Sequence, residues 1–164
     1  MTTAILSKEV ADFKKGIEDI VEVLKNTDEK TLYVKPSDTE WSAMQVVSHI
    51  LEAVEFWVAD LEALLIVPGA KWGRNHEHVR RLAAVEESVV AQLSKEGAIA
   101  AIQNLVPKVE AALAKVNEED LAKTAPSYNP NFDGKPLSFL IDHLIVKHVV
   151  GHYGQIVRHL KKVQ

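Results

Sequence analysis

Residues 41–67 read WSAMQVVSHILEAVEFWVADLEALLIV, and they contain the start, the periodicity and the end of one long helix. Ser42 suits the N-cap position, and Gln45 three residues later can complete a capping box with it. The apolar residues that follow recur at steps of three and four, which places them on one face of a helix. Pro68-Gly69 then ends the pattern. This stretch predicts an amphipathic helix that buries one face, as the helices of a bundle do.

Three further segments repeat this spacing of apolar residues. They are Leu6–Leu24 near the N-terminus, Ile102–Val116 behind an N-cap at Ser94, and a last helix from about Pro136 to the C-terminus. Pro107 lies inside the second of these patterns. Because proline cannot donate the helical hydrogen bond, we expect a kink there or a break near Val106.

Four long amphipathic helices, with no strand-like alternation longer than a few residues, predict an all-α fold built as a four-helix bundle. One additional shorter helix, Val79–Leu93, is expected in the crossover between the second and third long helices. The length of 164 residues fits a single domain, residues 1–164. The connections before and after the third long helix are both long, which permits a topology other than simple up-down-up-down.

Composition excludes several classes of function. The chain has 19 Lys and Arg against 23 Asp and Glu, a formal net charge of −4, and these charges are spread along the sequence. This distribution argues against nucleic acid as a partner. Cysteine is absent, so a metal would have to be bound by nitrogen and oxygen ligands.

The sequence also predicts a soluble, cytoplasmic protein. Residues 1–6 lack the charged, apolar and small-residue regions of a signal peptide. The longest apolar run, Ile50–Val67, is interrupted by acidic residues and does not resemble a membrane span.

The last helix contains a candidate metal-binding pair, His148 and His152. Side chains four residues apart lie on the same face of a helix, one turn apart, so these two imidazoles can bind one divalent ion. The alternative is a histidine pair that is hydrogen-bonded within the core or at its rim. A third ligand has to come from elsewhere, and the candidates are His49, Glu52, Gln155 and His159. His143 falls on the far side of the helix, where a solvated role is expected.

Charged residues near the second long helix suggest how a substrate could be held. Glu52 and Asp60 could orient a ligand or a bound water, or could simply be solvated helix residues. The segment after the helix carries four cations and two histidines: Lys71, Arg74, Arg80, Arg81, His76 and His78. These residues could lend positive charge to an anionic substrate, or could form a solvated charged face.

Together these motifs resemble those of the DinB/YfiT family of metal-dependent proteins. The resemblance is carried by Trp41-Ser42, by the helix that holds His49 before Ile50-Leu51, and by His148-x-x-x-His152-x-Gly154-Gln155-Ile156-x-x-Arg158. It implies a bundle with up-down-down-up topology. It also implies a divalent metal held by His49, His148 and His152, with Gln155 in a supporting role. Imidazole ligands suit zinc, nickel, iron or copper, and the leading hypothesis is zinc or nickel.

The same resemblance implies an enzyme that acts on a small-molecule substrate, first of all a thiol-dependent S-transferase with a low-molecular-weight thiol as cosubstrate. The alternatives are a metal-dependent hydrolase, in which water is the nucleophile, and a non-catalytic bundle that binds a metal or a small molecule. No nucleic acid or membrane partner is expected. A homodimer is a further expectation of the resemblance, although the sequence shows no interface for it.

Overall fold

The computed structural model describes residues 4–164; residues 1–3, at the start of the predicted domain, lie outside the described part. Four long helices form the frame of the molecule. They are α1 (Ser7–Lys25), α2 (Ala43–Ile66), α3 (Lys95–Leu113) and α4, which consists of a first turn Leu137–Phe139, a π-helical segment Leu140–Val146 and an α-helical segment Lys147–Val163. No β-strand forms within residues 4–164, and the predicted all-α class is confirmed.

Ion pairs on the surface give the relative direction of α2 and α3. Lys108 of α3 pairs with Glu55 of α2. Further along, Lys115 just beyond the end of α3 pairs with Glu62 of α2 in the same order. The second and third long helices therefore run parallel, which requires the long crossover between them.

Two more of the neighbouring pairs are antiparallel. Lys95, at the start of α3, donates to the carbonyl of Lys25 at the end of α1. His159, near the end of α4, donates to the carbonyl of Trp41 just before α2. His148, at the start of the α-helical segment of α4, lies beside His49 in the second turn of α2. Each long helix packs against two others, in the cyclic order α1, α3, α2, α4. The up-down-down-up topology is therefore confirmed.

The apolar faces of the four helices meet in one core. The largest fully buried side chains come from all four helices and from the short helix Glu29–Leu32: Phe13, Ile17, Ile20, Leu24, Leu32, Met44, Ile50, Leu61, Ile102, Leu105, Leu113 and Leu140. Full burial of one such side chain contributes about 1.5–3 kcal/mol to stability. Within residues 4–164, no helix is long and apolar enough to cross a membrane.

The predicted capping box forms at the start of α2. Ser42 Oγ accepts a hydrogen bond from the backbone N–H of Gln45 at 3.1 Å, and Gln45 Oε1 accepts from the N–H of Ser42 at 2.8 Å. Both residues are buried, so these bonds satisfy donors that water cannot reach. The helix therefore has a fixed starting point, two turns before His49.

The predicted break near Val106 does not occur, because α3 runs through Pro107 to Leu113. Proline deprives the carbonyl four residues earlier, that of Gln103, of its helical partner. Pro107 and Gln103 are both exposed, so solvent can replace the missing hydrogen bond.

The crossover contains two short helices, Val79–Ala84 and Glu87–Val90, instead of the single helix expected at Val79–Leu93. Side chains of α2 bind the backbone where the helix is interrupted. Ser48 Oγ donates to the carbonyl of Ala84 at 2.6 Å, and Gln45 Nε2 donates to that of Val85 at 2.8 Å. These tertiary bonds replace helical ones and hold the crossover against α2.

Candidate metal centre

Three imidazole rings from two helices meet at one point. His49 lies in the second turn of α2 and is 3% exposed, while His148 and His152 lie one turn apart on α4. Nε2 of His148 is 2.8 Å from Nε2 of His152 and 3.3 Å from Nε2 of His49. One ring nitrogen of each residue lies within 4.8 Å of the other two. The structure thus brings together the three residues that the family resemblance implies as ligands.

The spacing of these nitrogens fits a divalent ion. Nitrogen ligands about 2.0–2.1 Å from a tetrahedral zinc ion are about 3.3 Å apart, and adjacent octahedral ligands are about 3 Å apart. The distances of 2.8 and 3.3 Å lie close to these values. The Nδ1 atoms of His49 and His148 are buried without a hydrogen-bond partner among residues 4–164. They can carry the imidazole protons and leave both Nε2 atoms free as donors to a metal.

Burial keeps the three imidazoles neutral. It lowers the pKa of His49 to about 2 and the pKa of His148 to about 3, and the neighbouring histidines and the guanidinium groups of Arg81 and Arg74 add to this effect. Burial also lowers the pKa of His152. A neutral imidazole can donate its lone pair to a metal, whereas a protonated one cannot. The cluster is therefore ready to bind a cation at neutral pH.

Gln155 orients one of the three rings. Its Oε1 accepts a hydrogen bond from Nδ1 of His152 at 2.7 Å, which assigns the proton to Nδ1 and leaves Nε2 with its lone pair. Such partners behind a ligand fix the tautomer and the ring orientation. Gln155, one of the candidates for the third ligand, thus lies behind the cluster and supports His152.

The other two candidates for a third ligand are engaged elsewhere. Glu52 binds the guanidinium of Arg74 through two hydrogen bonds of 2.6 and 2.7 Å. His159 is buried, and its Nδ1 donates to the carbonyl of Trp41 at 2.6 Å. His159 therefore joins the end of α4 to the start of α2 instead of facing the cluster.

A turn before the crossover helices brings Arg74 to the site. Asp60, which the sequence suggested as a ligand-orienting group, accepts a hydrogen bond from the backbone N–H of Gly73 at 2.7 Å, and burial raises the pKa of its carboxyl group. Gly73 has φ of +84°, and a Cβ there would lie 2.7 Å from Ser127 Oγ. Only glycine fits this turn without strain. The turn leads directly into Arg74, which is 5% exposed and whose guanidinium carbon lies 4.1 Å from the centre of the Phe56 ring.

A cavity of about 260 Å³ adjoins the three histidines. The residues that line it, apart from the cluster itself, are Ala53, Trp57, Arg74, Asn75, His76, Arg81, Phe132 and Leu144. For Arg74, Arg81 and His76 the sequence left open two roles, neighbours of a substrate or parts of a solvated charged face. The apolar wall formed by Trp57, Phe132 and Leu144 was not predicted, since these residues come from three separate segments.

The remaining histidines lie outside the cluster. His143 is exposed on α4 and stacks on Phe139 with ring centroids 4.7 Å apart, in agreement with the solvated position predicted for it. Nδ1 of His78 accepts a hydrogen bond from the backbone N–H of Arg80 at 3.3 Å and thereby caps a crossover helix. His76 is exposed at the edge of the cavity.

The π-helical segment Leu140–Val146, directly before the histidine pair, was not predicted either. The buried residues Leu137, Ile141, Ile145 and Val149 follow one another at strict steps of four. In an α-helix each such step turns the side chain by about 40° away from the previous one. A π-helix has more residues per turn than an α-helix, so side chains four residues apart stay closer to one face. The repeated step of four was the available signal in the sequence.

The up-down-down-up bundle and the three converging imidazoles define a class: an all-α protein with a histidine cluster suited to a metal, placed between two facing helices. The sequence matches the DinB superfamily over residues 12–156. The chain therefore belongs to the DinB superfamily.

Comparison with solved structures gives the same fold. YfiT from Bacillus subtilis, described as "a probable metal-dependent hydrolase with an unusual four-helix bundle topology", superimposes with a TM-score of 0.80 over 99% of this chain and 89% of its own. The two sequences are 13% identical, so the likeness concerns the fold. A search of curated proteins returns no match.

Proposed function

We propose that His49, His148 and His152 bind one divalent metal ion, zinc or nickel, and that the protein is a metal-dependent enzyme acting on a small molecule. The observation that carries the proposal is the convergence of three neutral Nε2 atoms beside a cavity. Three protein ligands leave coordination positions open, which is typical of catalytic rather than structural sites. When bound, such an ion lowers the pKa of a water or thiol and supplies a nucleophile near neutral pH.

The residues of the chain would hold the ion and shape its surroundings. Gln155 would hold His152 in the tautomer that ligation needs. Trp41 packs against His49, with ring centroids 5.2 Å apart, and would restrict the movement of that ligand. Trp57 and Phe132 on the cavity wall would exclude water from the reacting molecule.

Hydrolysis is the reaction class that we place first. YfiT, which shares the fold, is described as a probable metal-dependent hydrolase. A cavity of about 260 Å³ is also just below the usual size range of pockets for drug-sized ligands, which begins at about 300 Å³, and it suits one small substrate with a water molecule.

Thiol-dependent S-transfer is the second candidate, and it is supported by the motif around His148, His152 and Gln155. The chain has no cysteine, so the thiol would have to arrive as a cosubstrate. Hydrolysis of a substrate without added thiol supports the first class, and turnover that requires a low-molecular-weight thiol supports the second. The homodimer and the cytoplasmic location stay predictions from the sequence.

Elemental analysis of the purified protein tests the metal site. We expect about one equivalent of a divalent transition metal per chain in the wild type and almost none in His148→Ala/His152→Ala. The control is His143→Ala, which removes an exposed imidazole from the same helix and should retain the metal. Equal and negligible metal contents in all three proteins, even after incubation with zinc or nickel, would refute the proposed site.

A further inference from the structure

The residues that line the cavity include two arginines and no carboxylate. The two arginines are Arg74 and Arg81. Arg74 is balanced by Glu52, which binds it through two hydrogen bonds. Arg81 therefore carries the unbalanced charge.

In the described part of the chain Arg81 has no direct ion pair: Glu52 acts on it only from a distance, while Glu52 binds Arg74 directly. Nη1 donates to the backbone carbonyl of His76 at 3.0 Å, and the guanidinium carbon lies 5.6 Å from the centre of the Trp41 ring. No carboxylate of residues 4–164 lies within 4.0 Å of it, whereas the neighbouring Arg80 reaches Glu52 at 3.7 Å. Arg81 is half-buried, and this burial lowers its pKa, as expected for a cation that has lost part of its hydration.

A partly desolvated guanidinium is costly unless an anion approaches it. The planar donor groups of arginine match a carboxylate particularly well. The same cavity also has apolar lining residues, which are Ala53, Trp57, Phe132 and Leu144. A ligand that suits both parts of the cavity has one anionic group and an apolar body.

We infer that the substrate is a small organic anion, a carboxylate with an apolar or aromatic body, and that Arg81 is the residue that recognises its charge. The inference rests on the proposed function for the reaction itself, because it places the body of the substrate beside the histidine cluster. Arg74 holds the wall in place through Glu52 and Phe56, and Arg81 selects the anion. The unbalanced charge also favours anions as they approach the cavity.

Binding of benzoate and benzamide tests this inference, because the two molecules have nearly the same shape and differ in charge. Isothermal titration calorimetry on zinc-loaded protein compares the wild type with Arg81→Gln, Arg81→Lys and Arg80→Gln. The wild type should prefer benzoate, and Arg81→Gln should bind it about tenfold more weakly, with little change for benzamide. Arg81→Lys retains the charge and should retain the preference. Arg80→Gln makes the same charge change at an exposed position outside the cavity and should bind benzoate as the wild type does.

Two further measurements separate this inference from the proposed metal site. Elemental analysis of Arg81→Gln should show the same metal content as the wild type, and the same titrations are repeated on His148→Ala/His152→Ala in the presence of chelator. If His148→Ala/His152→Ala still prefers benzoate, and adding Arg81→Gln to it removes that preference, the anion site is supported even if no metal is found. Full metal content with equal benzoate binding by Arg81→Gln and Arg80→Gln overturns the anion site and leaves the metal site standing. A wild type that does not prefer benzoate over benzamide also overturns it.

Discussion

Acidification should destabilise the metal-free protein, because the fold keeps His49 and His148 neutral. The pKa values of these residues in the folded protein are about 2 and about 3, against 6.5 for a solvated histidine. At a pH between the folded and the solvated pKa, these histidines are protonated in the unfolded chain and neutral in the folded protein. The free energy of unfolding therefore falls as the pH decreases below about 6.5, and it is restored as the pH rises.

The size of this effect follows from the width of the pH interval. One group contributes about 1.4 kcal/mol for each pH unit between its two pKa values. From pH 6.5 to pH 5.0 each of the two imidazoles lowers the free energy of unfolding by about 2 kcal/mol, and together they lower it by about 4 kcal/mol. Since domains are stable by about 5–15 kcal/mol, this loss is a large fraction of the total.

Urea denaturation followed by tryptophan fluorescence, with EDTA present, measures the free energy of unfolding at pH 7.5 and pH 5.0. The comparison is between the wild type and His49→Gln/His148→Gln, in which neither position can titrate. The difference between the two pH values should be about 4 kcal/mol smaller in the variant. His143→Gln, altered on the exposed side of α4, should retain the dependence of the wild type. If wild type and double variant lose equal stability at pH 5.0, the two imidazoles are not held neutral by the fold.

Two further predictions concern the surroundings of the cluster. Gln155→Leu removes the acceptor for Nδ1 of His152 and should weaken zinc binding about 10- to 100-fold, measured by competition with a chelating dye; unchanged affinity would contradict the role of Gln155. Glu52→Gln leaves the buried Arg74 unpaired and should cost about 3–5 kcal/mol in urea denaturation. Glu55→Gln breaks an exposed ion pair on the same helix and should cost less than about 1 kcal/mol, so equal losses in the two variants would refute the importance of the buried pair.

The predictable part of this molecule rests on local patterns. The capping box at Ser42 and Gln45 involves neighbours in sequence, and it forms as the spacing predicted. The spacing of His148 and His152 likewise places both imidazoles on one face of a helix. The partner helix did not follow from spacing, and His49 emerged from the family resemblance.

The unpredicted part depends on contacts between distant segments. The crossover helix is interrupted at Ala84 because Ser48, far away in sequence, binds its carbonyl. The sequence favoured a solvated position for Arg74. It is buried because it hydrogen-bonds to Glu52 and packs on the Phe56 ring, both on α2. Periodicity describes the faces of one helix and cannot show which groups a neighbouring loop will meet.

The π-helical winding of Leu140–Val146 sets the direction in which the histidine pair points from α4. A π-helical turn takes in about one residue more than an α-helical turn, so the same residues wound as an α-helix would rotate everything downstream by about 100° relative to Leu137. Either His148 and His152 would then point away from His49, or the buried residues before them would turn towards solvent. The winding of this segment thus sets the angle at which α2 and α4 present their imidazoles to each other.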